Sequence, residues 1–357
     1  MHTRKILMLS PEIRTKETGI TIRIKGMSEF FKKFNLKADI FQKLPDNLES
    51  YEFVYALIST KKDSITSDFL KNRANNIFIL DLYTPILLEK KAIRAKNYFL
   101  NKYNLLKQRQ VVKNIVSQAD HFLFANHRQK EYWARQIMEW GIKKSKIQFS
   151  IVPTNAPVVK VKKKKGKSLL WFGGIYPWIN PIPLFKALPY IFTKNPSINF
   201  KIIGGFQKGT GYYGYYEKSL SLIKNLGLKE KVGIISWQKP AKLSKYLEDV
   251  IVAVHIPAKT GEDFYSYRFR LLTLLNAGIP VLTSGSDIIS KYIVQKKAGA
   301  QIVTNDDVLA KQIVLALKNP QKIKKWSTMA KKLESIIIKR ETDIKNFLKF
   351  INDVKHL

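Results

Sequence analysis

The sequence predicts an α/β protein made of two doubly wound parallel sheets, and three observations carry that prediction. Short apolar runs of strand length alternate with longer segments of helical periodicity along the whole chain. The 357 residues suit two domains of about 150–180 residues each better than one. Near the middle, VPTNAPVVKVKKKKGK (152–167) interrupts the periodic pattern with two prolines and a lysine tract, as an interdomain linker would.

In order, residues 5–10 read as a buried strand, 11–20 as a loop and 21–34 as a helix with one apolar and one basic face. Strands are expected at 38–41, 53–58 and 77–82, the last ending in Asp81, Tyr83 and Pro85. A long basic helix is expected over 87–117, a strand over 121–125 and a helix over 128–139. The second half opens with a strand at 168–172 that ends in Gly173-Gly174, then a helix at 183–192. A strand at 199–203 ends in Gly204-Gly205, and a helix at 212–226 is closed by Gly227. A strand at 232–236 ends at Trp237, followed by a short helix at 243–247. Next come a strand at 251–256, a loop carrying Glu262 and Asp263, a helix at 266–276 and a strand at 279–283. A short strand at 300–303 and helices at 306–318 and 323–354 complete the chain.

Charge narrows the function classes. Sixty-three Lys and Arg against 27 Asp and Glu give a formal net charge of +36. Phosphate contacts to nucleic acid, adhesion to an anionic membrane surface, and a lysine-rich composition without functional meaning all fit that excess. No zinc-finger spacing, helix-turn-helix or RNA-binding signature is found, so no nucleic-acid partner is expected. The absence of cysteine excludes disulfides, thiolate zinc sites and a Cys nucleophile. The apolar run at 6–10 is too short for a signal peptide, and no run reaches the length of a membrane span. The expected location is the cytoplasm, with peripheral attachment to the inner face of the membrane as the only membrane contact open to it.

Ligands of open parallel sheets sit at the carboxyl ends of the strands, where helix N-termini point free N–H groups. Ser266, Tyr267, Arg268 and Arg270 cluster at such a place and offer a hydroxyl and guanidiniums to a phosphate-bearing ligand. Arg268 and Arg270 lie two apart on the expected helix and diverge, and Arg268 is preferred as the residue facing the ligand. Gly173 and Gly174 let a backbone approach phosphate closely. Trp178 and the strand-end pair Ser236 and Trp237 could receive a base. Gly19 follows the first strand in a loop that also carries Arg14 and Lys16. Asp81, as an acceptor-orienting group or base, and Tyr83 end a strand of the first half. Asn126 and Arg128 stand at another strand-to-helix turn, and His255 ends a strand beside the acidic loop. Each has a plain structural alternative: a tight turn, a helix cap, an ion pair or core packing. No Asp-x-Asp or His/Asp cluster points to a divalent ion, so no metal is expected.

Several motifs carry a resemblance. LLWFGGIYPWINPIPLFKAL (169–188), NFKIIGG (199–205) and ISWQKPAKLSKYL (235–247) resemble, in order, the first strand, glycine turn and helix, the second strand, and the strand and short helix before the donor motif of glycosyltransferase family 4. FYSYRFRLLTLLNAGIPVLTSGSD (264–287) resembles a subgroup of that family with an aromatic-Ser-aromatic-Arg-x-Arg donor helix before Ala-Gly-x-Pro-Val. In the first half, ILDLYTPILLE and FANHRQKEYWARQI resemble that subgroup's Asp-x-Tyr-x-Pro strand end and its Gln/Trp helix. The resemblance implies a GT-B fold: two Rossmann-like domains facing a cleft. It implies an acceptor-binding domain over 1–157, a nucleotide-sugar-binding domain over 158–335 and a C-terminal helix over 336–357 that packs back on the first domain.

By the same resemblance, the chain moves a sugar, as a hexosyltransferase, from a UDP-, GDP- or dTDP-linked donor to a glycan or lipid-linked acceptor. The transfer is expected to retain configuration, to need no metal or other cofactor, and to serve surface polysaccharide or glycolipid synthesis. Asp81, Glu262 and Arg268 are the expected catalytic residues. Gly19, Gly173, Gly174, Trp178, Ser236, Trp237, Asp263, Ser266, Tyr267 and Arg270 would bind the donor, and Tyr83, Asn126 and Arg128 the acceptor. The family's donor motif carries two glutamates; the matching positions here are Tyr265 and Thr273, with Glu262 and Asp263 just upstream. That departure motivates the rival reading, a non-catalytic GT-B-like protein that binds a nucleotide, a glycan or another transferase.

Overall fold

A computed structural model describes residues 4–11, 18–92, 98–142, 148–162, 164–206, 213–258 and 260–354. The chain divides into two compact units. The first comprises Met1–Asn155, Tyr265–Tyr267 and Ile338–Leu357; the second comprises Ala156–Phe264 and Arg268–Ile337.

The first unit runs β1 (Arg4–Leu9), α1 (Gly19–Lys32), β2 (Leu36–Phe41), β3 (Phe53–Leu57), α2 (Ile65–Lys71), β4 (Ile77–Asp81), α3 (Ile86–Ala92), α4 (Tyr98–Ser117), β5 (His121–Phe124), α5 (His127–Glu139) and β6 (Gln148–Ile151). Its strands form one parallel sheet in the order β2-β1-β3-β4-β5-β6. Both faces are covered, which explains why β3 reads FVYAL with all five residues buried. The period of two splits each strand between the faces. Ile6 and Met8 join Ile24, Met27 and Phe31 of α1. Leu7 and Leu9 belong to the opposite core with Phe69 of α2, Val112 and Ile115 of α4 and Trp133 of α5. The Thr18 side chain accepts from the Thr21 amide in a reciprocal capping box that starts α1.

The second unit runs β7 (Ser168–Gly174), α6 (Ile182–Lys194), β8 (Asn199–Gly205), α7 (Tyr213–Asn225), β9 (Val232–Ile235), α8 (Pro240–Leu247), β10 (Val250–His255), α9 (Gly261–Tyr265), α10 (Phe269–Asn276), β11 (Val281–Thr283), α11 (Ile288–Gln295), β12 (Gly299–Gln301) and α12 (Asp306–Leu317). Its sheet is also parallel, in the order β12-β11-β10-β7-β8-β9. Leu169, Trp171, Val252 and Val254 pack with Phe185 and Leu188 of α6 and Leu309 and Ile313 of α12. Then α13 (Pro320–Glu341) crosses from the second residue set into the first, and α14 (Lys345–Asp353) belongs to the first unit. Phe347 of α14 is fully buried, 5.1 Å from the Phe30 ring and 5.4 Å from that of Phe34. The expected return of the C-terminal helix is therefore observed.

The expected fold class is met, with local differences. The helix expected over 87–117 is observed as α3 and α4, with 93–97 outside the described residues. The strand β6 was not anticipated, because QFSI is short and half polar. It is held by β5 on one side and by reciprocal Ile151–Asp343 backbone bonds of 2.8 and 2.9 Å. That same bridge interrupts the helix expected over 323–354 between α13 and α14. The short helices α2 and α11 were also missed; each is capped by a side chain, Ser64 and Asp287, and buried by tertiary contact. In the tract at 152–167, the described residues form neither helix nor strand, yet Val152, Thr154, Ala156 and Val159 are buried, so it is not an exposed hairpin.

Candidate functional site

The second unit builds its candidate site at the carboxyl ends of β7, β8 and β10. Both β7 and β8 end in Gly-Gly, in register, with Gly173 beside Gly204 and Gly174 beside Gly205. Gly173 (φ 99), Gly204 (φ 112) and Gly205 (φ 71) occupy the left-handed region that favours glycine. A Cβ on Gly204 would lie 3.0 Å from the Gly173 carbonyl carbon, and one on Gly173 would lie 2.9 Å from the Arg270 guanidinium carbon. Only glycine lets these two backbones and that guanidinium come together.

Behind the turns lies a buried charged network. The helix expected over 266–276 is broken: α9 ends at Tyr265, Arg268 has φ −89 and ψ 86, and α10 begins at Phe269. The break returns the Arg268 guanidinium to α9, where its Nη2 donates to Glu262 at 2.7 Å and to Asp263 at 3.2 Å. Burial alone would lower the Arg268 pKa; the Glu262, Asp263 and Asp287 carboxylates outweigh it and raise the value. Asp263 also accepts from the Ser286 amide and hydroxyl at 2.5 and 2.8 Å. Asp287 caps α11 through the amides of Ile289 and Ser290, and accepts from the Ser290 hydroxyl. Burial and the Asp263 charge push the Asp287 carboxyl up to about 7. His255 Nε2 stands 3.9 Å from Asp287, buried and without a hydrogen-bond partner. Burial and the two guanidiniums hold this imidazole well below its usual pKa, hence neutral.

Arg270 differs from Arg268. Its Nη1 donates to the Gly174 carbonyl at 3.0 Å, and its guanidinium carbon lies 5.9 Å from the Tyr176 ring centroid. Among the described residues it forms no ion pair. Burial and Arg268 lower its pKa to about 10, so it keeps its charge at neutral pH without a carboxylate in contact. The sequence-based preference for Arg268 as the ligand-facing cation is thereby reversed: Arg268 is neutralised, whereas Arg270 sits under the glycine turn with charge to spare.

The other expected donor residues separate. Trp178 stacks on Tyr176 with ring centroids 5.1 Å apart and packs against the core. Ser236 and Trp237 are exposed just beyond the edge strand β9, and the Trp237 indole donates to the Phe206 carbonyl at 3.0 Å. Ser266 and Tyr267 are buried between α9 and α10 and group with the first unit; α10 has no side-chain cap, so Ser266 is not its N-cap. Thr273 is spent inside α10, its hydroxyl donating to the Phe269 carbonyl at 3.0 Å. Tyr265, also grouped with the first unit, has its ring 4.9 Å from that of Tyr132.

In the first unit, Asp81 is not an available base. Its side chain and that of Arg23 are both 0% exposed, joined by Nε–Oδ2 and Nη2–Oδ1 bonds of 2.7 and 3.1 Å. The Tyr55 hydroxyl donates to the same Oδ2 at 2.5 Å. Gly19 is the first residue of α1 and lies outside the left-handed region; Arg14 and Lys16 lie outside the described residues. Asn126 caps α5, accepting from the Gln129 amide at 3.0 Å, while its buried Nδ2 meets no acceptor. Arg128 is buried, and the half-buried Tyr83 accepts from Gln129 through its carbonyl at 2.6 Å.

A family model described as glycosyl transferases group 1 matches residues 154–333, half of the chain. The chain belongs to this family of glycosyltransferases. No curated protein matches it. Among solved structures, sucrose-phosphate synthase from Thermosynechococcus elongatus is 12% identical with a TM-score of 0.68, over 99% of this chain and 98% of that one. HepE from Anabaena in complex with UDP-glucose is 13% identical with a TM-score of 0.68, over 99% and 100%. A variant of TarM from S. aureus, in complex with UDP and α-GlcNAc-glycerol among other ligands, is 13% identical with a TM-score of 0.57, over 84% and 54%. What the chain shares with them is the GT-B fold.

For this group 1 glycosyltransferase, sequence reasoning missed Asp287, Ser286, Arg23 and Tyr176. Asp287 had a legible signal, an N-cap Asp before IISKYIV; Arg23 had none, since an inward-facing Arg in a helix reads as surface. One ligand atom each from His255, Asp263 and Asp287 lies within 4.8 Å of the others. Donors already serve both carboxylates, and two guanidiniums add positive charge beside them. That set fits an ion-pair network better than a divalent cation.

Proposed function

We propose that this glycosyltransferase uses a nucleotide-sugar whose diphosphate docks against Arg270 and the paired glycine strand ends. The observation that carries the reading is a half-buried guanidinium with no carboxylate in contact among the described residues, at a turn where only glycine fits. The UDP-glucose of the HepE complex and the UDP of the TarM complex favour a uridine diphosphate donor. In the transfer, the bond from the anomeric carbon to the diphosphate oxygen breaks, a bond to an acceptor hydroxyl oxygen forms, and the proton of that hydroxyl passes to the departing diphosphate. Arg270 and strand-end amides stabilise the departing diphosphate without a metal. Glu262 and Asp263 act by holding Arg268, as positioning residues. Residues 158–335 are the donor half and 1–157 the acceptor half, with 336–357 packed on the latter. By resemblance to family 4 the transfer retains configuration, and the acceptor is a glycan or lipid-linked hydroxyl of a surface polysaccharide or glycolipid.

Calorimetric titration with UDP, GDP and dTDP tests this. One nucleoside diphosphate binds, and Arg270→Ala weakens it by about 10–100-fold, as expected for charge-assisted hydrogen bonds of roughly 1.5–3 kcal/mol. Equal affinity in the variant, or no binding by any of the three, overturns the reading. Tyr265 and Thr273 at the motif's acidic positions, both engaged within the protein, favour the second reading, a nucleotide-binding partner protein. Tight nucleotide binding without hydrolysis or transfer of any matching nucleotide-sugar would select it.

A further inference from the structure

Helix α4 carries a feature that the donor site does not use. Its C-terminal half is anchored, with Val112, Ile115 and Val116 buried in the first unit's core. Residues 102–110 are mostly exposed, including Tyr103 at 54% and Leu106 at 56%. On a helix, Tyr103, Leu106, Lys107 and Gln110 share the face opposite Val112. Lys102 and Arg109 are exposed beside them, and the half-buried Lys113 continues the row. The Lys107 ammonium lies 4.2 Å from the Tyr103 ring centroid. No acidic residue occurs anywhere in α4. The Arg109–Glu139 ion pair, 3.7 Å, ties the helix to the end of α5, where Met138 is 50% exposed. Among the described residues of the first unit, the large exposed hydrophobics are Tyr103, Leu106, Met138 and Leu348. Two of the four, Tyr103 and Leu106, therefore lie on this one basic face.

We propose that this face docks on an anionic lipid bilayer, with Tyr103 and Leu106 entering the headgroup boundary and Lys102, Lys107 and Lys113 meeting lipid phosphates. The pairing of an interfacial aromatic and an aliphatic with an acid-free row of long cationic side chains selects a bilayer, which offers both an apolar layer and a sheet of negative charge. No described helix is long and apolar enough to cross a membrane, so the contact is a surface one. The assignment does not depend on Arg270 or on the donor.

Flotation of the full chain with vesicles tests it, comparing pure phosphatidylcholine with a mixture containing phosphatidylglycerol. The chain floats with the anionic vesicles and not with the neutral ones. The pair Lys102→Glu with Lys107→Glu weakens binding by about 25-fold, at about fivefold per basic residue lost near the surface. The pair Tyr103→Ser with Leu106→Ser also weakens it, though its charge is unchanged. The pair Lys324→Glu with Lys325→Glu, the same charge change on exposed sites of α13, leaves binding near wild type. Equal loss in the α13 control makes total charge the cause and overturns the assignment, as does wild-type affinity in either α4 variant. Failure to float, with binding to single-stranded RNA that the α4 variants abolish, would assign the face to nucleic acid instead. Nucleotide titration on the same variants stays at wild-type affinity, which separates this surface from the donor site.

Discussion

Removing the Asp81 carboxylate separates two roles that are indistinguishable in the sequence. At the end of β4, Asp81 looks like an acceptor-facing base. In the structure it neutralises Arg23 inside the first unit, with both side chains 0% exposed and bonds of 2.7 and 3.1 Å. Among the described residues Arg23 has no other carboxylate in contact, and it also donates to the Val152 carbonyl and the Thr154 hydroxyl. Asp81→Ala therefore leaves a guanidinium buried without its counter-charge, which costs about 3–5 kcal/mol. The Tyr55 hydroxyl loses its acceptor as well. At about 2–4 °C per kcal/mol for a unit of this size, Tm falls by roughly 6–20 °C. Arg23→Met combined with Asp81→Leu removes both charges, so the double variant should be more stable than Asp81→Ala alone. Thermal melts of the wild type, Arg23→Met, Asp81→Leu and the double variant give the coupling energy. Below the melt, Asp81→Ala should keep the wild-type nucleotide affinity. A melting temperature within about 2 °C of wild type, together with lost turnover, would refute the structural role and restore Asp81 as a catalytic residue.

Gly173→Ala places a methyl at φ 99 against the Arg270 guanidinium; it should destabilise by about 1–3 kcal/mol and weaken nucleoside diphosphate binding, whereas Gly141→Ala, also at positive φ but with nothing within 4 Å, should affect stability only. Folding raises the Asp287 pKa from 3.8 to about 7, so the folded state holds this proton more tightly and stability from this group falls as pH rises across that window. Asp287→Asn, which keeps an N-cap oxygen, should gain on the wild type in melting temperature between pH 4 and 7; parallel pH profiles would sink that account. Phe347→Ala should cost about 3–5 kcal/mol in chemical denaturation, and a loss under about 1 kcal/mol would mean that α14 contributes little to the first unit's core.

How Arg268 and Arg270 divide their roles shows where sequence reasoning stopped. Two arginines near a strand end were legible as phosphate candidates, and so was the glycine pair beside them. Which arginine remains free was not legible, because it depends on a break in the helix that the local pattern does not signal. Leu271, Leu272, Leu274 and Leu275 keep helical periodicity up to the end of α10, and nothing in FYSYRF announces that the chain turns back at Arg268. The reversal is driven by two buried carboxylates that are cheaper to keep charged with a guanidinium between them. Asp81 presents the same limit in the first unit: its partner lies 58 positions away on α1.

The sequence by itself determined the fold class, most strands, the glycine turns and the family resemblance, because these rest on short-range physics. Apolar periodicity decides strand or helix, and strand-end Gly-Gly signals backbone that leaves the ordinary φ range. Tertiary structure alone decided which charges are free. A carboxylate or guanidinium has the same local signature whether it meets a ligand or a distant partner, and burial makes the partner decisive. Hence Asp81, Glu262, Asp263 and Arg268 proved to be paired within the protein, while Arg270 kept its charge beneath Gly173.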